Sequence, residues 1–101
     1  MLIMFNVEYL SAYETDGLVV IGFNSFDIRE WNATYRFDKE NSEKFINELR
    51  KKYQGGFKEM FDKAFVHDGL EPNSYYFDIE AFEELCEQNG IKYEYSDAII
   101  V

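Results

Sequence analysis

The sequence predicts an α+β domain: N-terminal antiparallel strands (about three), then two to three amphipathic helices packed on one sheet face, with a C-terminal strand. Three observations carry this expectation. Apolar residues alternate with period two near the start, recur with helical period in the middle, and alternate again at the end. Strands grouped before helices, rather than interleaved with them, point to α+β and not to a parallel α/β sheet. The 101 residues fit one domain, and with no internal repeat, low-complexity stretch or linker, residues 1–101 read as a single compact acidic unit.

Along the chain, Ile3, Phe5, Val7 and Tyr9 alternate with Met4, Asn6 and Glu8 and predict a first strand. Residues 13–17 (Tyr-Glu-Thr-Asp-Gly) supply turn chemistry, and the apolar run Leu18 to Phe23 completes a hairpin. Residues 24–32 show no clear pattern. Ala33 to Phe37 predicts a third strand. The period then changes. Asn41 or Ser42 is placed as a helix cap, with Phe45, Ile46, Leu49 and Tyr53 on one stripe and Gly55-Gly56 as the stop. Phe57, Met60, Phe61, Ala64 and Phe65 predict a second helix, closed by Gly69 and Pro72. A third helix begins at Asp78 as N-cap, turns Ile79, Phe82, Leu85 and Cys86 inward and ends at Asn89-Gly90. Ile91 to Ser96 alternates, and Ala98 to Val101 is apolar. Ten Phe, eight Tyr and one Trp compensate for the modest core of so short a chain. Trp31 reads as core or as an interface anchor, with core the expectation.

Twenty acidic residues oppose ten basic ones, for a formal charge of −10. Such a surface repels phosphate backbones and anionic lipids, and attracts basic proteins. Direct nucleic-acid binding and membrane binding are therefore not expected. The charge is uneven. Residues 1–28 hold four acids and no base, residues 29–63 hold seven acids and nine bases, and residues 64–101 hold nine acids against Lys92 alone. On ideal helical geometry Glu80, Glu83, Glu84 and Glu87 share an arc of about 100° opposite the apolar stripe. Glu80–Glu84 and Glu83–Glu87 are like-charged i,i+4 pairs, each costing about 0.2–0.5 kcal/mol, with no base within four positions to relieve them. A solvated outer face is the plain reading of a charge run. A face shaped only by stability mixes in lysine, as the helix near Ser42 does, so this one is taken as a docking surface. The candidate partner-binding residues are Glu80, Glu83, Glu84, Glu87 and Asp78, with Asp68, Glu71, Tyr75 and Tyr76 leading into the helix. Tyr93 and Tyr95 are expected to pack in the core or at its edge.

Catalytic and ligand chemistry is sparse. His67, beside Asp68 and Gly69, reads as a turn residue rather than a base. Cys86 lies on an apolar helix face, where a thiol is inert. One His and one Cys are too few for a His/Cys metal site. Gly55-Gly56 is followed by Phe57 and makes no phosphate loop. No catalytic, cofactor-binding or metal-binding residue is assigned, and the chain is not expected to be an enzyme. A lone cysteine excludes an intramolecular disulfide, and the opening residues lack a basic segment, so a cytoplasmic protein without a signal peptide is expected. The function expected is that of a small acidic inhibitory binding protein. Its partner would be a basic nuclease or other nucleic-acid-binding protein, as for an immunity protein covering the substrate groove of a nuclease toxin. The alternatives are a phage-encoded nucleic-acid mimic that blocks a CRISPR or restriction effector, and an acidic regulatory subunit.

Overall fold

The computed structural model describes the backbone of residues 4–25, 30–68 and 75–100, and the side chains of residues 11–23, 33–68 and 76–96. In chain order the elements are β1 (Met4–Thr15), β2 (Leu18–Ser25), β3 (Glu30–Arg36), α1 (Lys39–Arg50), α2 (Phe57–Phe65), β4 (Val66–Asp68), β5 (Tyr75–Asp78), α3 (Ile79–Gln88) and β6 (Glu94–Ile100). One antiparallel sheet runs β4-β5-β1-β2-β3-β6. The α+β architecture is as expected: three N-terminal strands, three helices and a closing strand in the same sheet. β4 and β5 are additional. Strands of three and four residues are too short to display an alternation, and they occupy a stretch read as the end of a helix and a loop. Among the described residues no helix is long and apolar enough to cross a membrane. Trp31 has a described backbone position in β3 only, so its expected burial lies outside the described side chains.

The β1–β2 hairpin turns on Asp16 and Gly17, whose φ values of 55° and 82° give the two-residue turn that matches strand twist. The Glu14 carboxylate accepts a hydrogen bond from the Gly17 amide at 3.1 Å. Farther along the same pair the register slips between Val7 and Tyr9, a β-bulge. Past the slip Ala12 pairs with Ile21 and shares its face of the sheet. An unbroken alternation continued from Tyr9 would turn Tyr13 inward and Ala12 outward. Instead Ala12 is buried and Tyr13 is 48% exposed.

The inner face of the sheet carries Ala12, Val19, Ile21, Phe23, Ala33, Tyr35 and Phe77, all buried, and the helices cover it. α1 starts three or four residues earlier than a cap at Asn41 or Ser42 implies. Its N-cap is Asp38, not Asn41 or Ser42, and the Asp38 carboxylate accepts from the Asn41 amide at 2.8 Å. The correction has a packing cause. Phe37 must reach the core, which brings the first turn against the sheet and buries Asn41 and Ser42. The Ser42 hydroxyl accepts from Val19 N (2.9 Å) and donates to Phe37 O (3.3 Å), so it fastens α1 to β2. Phe45 and Leu49 are buried, with Ile46 and Tyr53 packed beside them.

α3 is fixed at both ends and through its middle. Asp78 accepts from the Ala81 amide at 3.0 Å as N-cap. At the C-terminus Gly90 adopts φ 65°, Ile91 N bonds Cys86 O (2.9 Å) and Gly90 N bonds Glu87 O (3.4 Å). This is a Schellman motif, closed by buried Ile91 and Cys86. Between the caps, the Phe82 ring lies against Tyr35 (4.9 Å), Phe45 (5.6 Å), Phe65 (5.7 Å), Tyr93 (5.8 Å) and Phe77 (5.9 Å). Replacing Phe82 by Ala is expected to cost about 3–5 kcal/mol and Phe82→Leu about 1–2 kcal/mol, read from urea denaturation midpoints at unchanged slope.

Candidate functional site

The geometry of α3 follows from its two faces. Ile79, Phe82 and Cys86 are buried and Leu85 is half-buried against the core. The opposite positions, Glu80, Glu83, Glu84 and Glu87, are all exposed. The helix therefore presents a ridge of four glutamates and carries no lysine or arginine of its own. α1 differs: Glu40 pairs with Lys44 at 3.7 Å and Glu48 with Lys51. On α3, Gln88 Nε2 donates to Glu84 at 3.0 Å.

Glu83 joins the ridge to the sheet. The Tyr35 hydroxyl donates to Glu83 Oε1 at 3.4 Å. The Tyr35 ring also meets Tyr93 at 5.0 Å and Tyr95 at 4.9 Å. Tyr35 is buried, Tyr93 half-buried and Tyr95 43% exposed, so the three rings grade from the core out to the surface beside the ridge. Tyr93 packs on the core as expected. Tyr95 touches the same cluster yet leaves much of its ring in solvent, because β6 is an edge strand. Sequence reasoning missed Tyr35: its position in β3 marks it as core, and only the fold brings its hydroxyl to Glu83.

Burial, and then the charge of Glu83, push the Tyr35 phenol well above the ordinary tyrosine range. The same two causes, burial first, raise Tyr93 and push the Cys86 thiol up to about 12. Cys86 is thus a protonated core thiol.

The remaining candidates lie elsewhere. Asp78 is buried and its carboxylate caps α3, so it belongs to the helix start rather than to the ridge. Asp68 is exposed on β4. Tyr76 pairs with His67 and, alternating with buried Phe77, is on the sheet face away from the helices. β5 and β6 are separated by three strands, about 19 Å at ordinary strand spacing, so Asp68 and Tyr76 do not join Tyr93 and Tyr95 in one rim. Glu71 lies outside the described residues, and Tyr75 is described in backbone only. His67 Nε2 is 3.7 Å from Asp78 Oδ2, with its side chain 48% exposed. His67 lines neither of two surface clefts, one of 600 Å³ and one of 250 Å³. Among the described residues no three His, Cys, Asp or Glu side chains group as a metal site.

Compared with protein-family models, with curated proteins and with solved structures, the chain has no match.

The raised thiol and phenols predict how stability varies with pH. A group whose pKa is higher folded than unfolded holds its proton longer in the folded state, so its contribution is complete below the unfolded pKa and is lost as pH rises through the folded one. Unfolding free energy is expected to fall as pH rises from about 9 towards 12, the window set by Cys86. Cys86→Ala removes the earliest part of that decline and keeps the part due to the tyrosines. Chemical denaturation at stepped alkaline pH measures both.

Proposed function

We propose that the protein is a small acidic inhibitor that binds a basic protein through the glutamate ridge of α3. In the most specific form of this reading, it is an immunity protein that neutralises a nuclease toxin by covering its substrate groove. The observation that carries it is the ridge itself: four exposed glutamates on a helix whose other face is locked in the core, bordered by Tyr95 and Tyr93. A nuclease groove is basic because it holds phosphate, and a preformed acidic surface is its electrostatic complement. Aromatic rings held rigid beside the carboxylates supply contact area with little ordering cost. The like-charge repulsion along the ridge, about 0.2–0.5 kcal/mol per i,i+4 pair, is relieved when a cationic partner docks.

A compact patch fits this reading better than an extended phosphate mimic. Among the described residues, Lys92, Arg36 and Lys39 line the cleft beyond the C-terminus of α3 and interrupt the acidity on that side, which supports a patch rather than a track. The reading assigns no catalytic step to the chain, and it places the protein in the cytoplasm, where it would meet a nuclease before nucleic acid is cut.

Affinity capture from host cells, washed at rising salt, identifies the partner, and stopped-flow mixing then measures association. Changing Glu80, Glu83, Glu84 and Glu87 together to Gln is expected to slow association at least about tenfold at low salt and to flatten its salt dependence. Unchanged kinetics would remove α3 from the interface, and recovery of no nucleic-acid-binding protein would refute the nuclease assignment.

A further inference from the structure

The larger of the two clefts described above has the opposite sign to the molecule. It has a volume of about 600 Å³, within the range of small-molecule sites. Three cations line it from three parts of the chain: Arg36 at the end of β3, Lys39 at the start of α1, and Lys92 after α3. Lys92 is the sole base in residues 64–101. All three side chains are exposed. Among the described residues none of them lies within ion-pairing distance of an acid, although acids outnumber bases two to one in the chain.

Two acids, Asp38 and Glu94, share the wall, so three cations face two carboxylates and the lining keeps a net positive charge. The Asp38 carboxylate is occupied, accepting from both the backbone N (2.8 Å) and Nδ2 (2.9 Å) of Asn41. Those hydrogen bonds and then Lys44 hold its pKa below the ordinary range. Glu94 is the cross-strand neighbour of Arg36 in register, without forming an ion pair with it. The frame is rigid: buried Asn41 accepts from Lys92 N at 2.8 Å, which ties the segment after α3 to the first turn of α1. The rest of the lining is apolar, with Leu18 (44% exposed), the edge of Phe37, and Tyr93. Unpaired cations gathered round a partly apolar cavity repel one another unless an anion sits among them.

We propose that this cleft binds a small organic anion, its phosphate or carboxylate headgroup held by Arg36, Lys39 and Lys92 and its apolar body laid against Leu18, Phe37 and Tyr93. The site is independent of the glutamate ridge and does not rest on the inhibitor reading.

Amide NMR spectra of the full chain, titrated with phenyl phosphate, benzoate and inorganic phosphate, test it. Expected are saturating shifts confined to residues 36–41 and 91–94 with phenyl phosphate or benzoate, the tighter of the two identifying the headgroup. Arg36→Gln and Lys92→Gln each weaken that binding about tenfold, and Lys58→Gln leaves it unchanged. Because the altered side chains are exposed, spectra elsewhere stay as in the parent and report an intact fold. The proposal is overturned by shifts that never saturate or that spread to Lys44, Lys58 and Lys63. It is overturned equally by inorganic phosphate binding as tightly as phenyl phosphate, or by undiminished affinity in the Arg36 and Lys92 variants.

Discussion

The Phe82 ring determines how the rest of the molecule is arranged. It meets rings from β3, α1, α2, β5 and the segment before β6, so one side chain holds α3 against every layer of the core. Burying it fixes the rotation of α3 about its own axis, and that rotation decides which residues face water. Full burial of a large apolar side chain contributes about 1.5–3 kcal/mol, and Phe82, Ile79 and Cys86 are buried together. The two repulsive glutamate pairs oppose this with less than about 1 kcal/mol in all. Burial wins, and the helix carries its unbalanced acidic face without losing its place.

The same anchor explains why charge and aromaticity meet. Tyr35 packs on Phe82 from the sheet and sends its hydroxyl to Glu83 on the helix. Tyr93 follows the Schellman turn and returns to the same rings. The surface next to the ridge is therefore built from the outer ends of core side chains, and it is as rigid as the core. That turn also delivers Lys92 to Asn41, where the acidic face gives way to the cationic cleft. Two surfaces of opposite sign are set by one helix and its C-cap.

Much of this was legible in the sequence. The α3 stripe, its Asp78 cap and its Asn89-Gly90 stop obey local rules that tertiary context did not override, and the exposed ridge follows from them. Other features depend on contacts distant in sequence. The bulge between Val7 and Tyr9 shifts the register of β1 against β2, and a period-2 pattern carries no mark of such an insertion. Asn41 and Ser42 have good capping side chains, but Asp38 caps because Phe37 must enter the core. β4 and β5 are shorter than any readable period. Asp68 and Tyr76 precede α3 in sequence, while the strand order places them in the two strands farthest from Tyr95. The cleft joins residues 36–41 to residues 92–94, a proximity created by the β3–β6 pairing and the Asn41–Lys92 hydrogen bond.

Through Phe82, α3 belongs to the cooperative core, so its acidic face is preformed. Native-state hydrogen exchange tests this directly. Amides in the middle of α3, from Phe82 to Cys86, should exchange only through global unfolding, with the same opening free energy as Val19 to Phe23 in β2. Exchange of α3 through a separate opening of distinctly lower free energy, while β2 remains protected, would contradict the account.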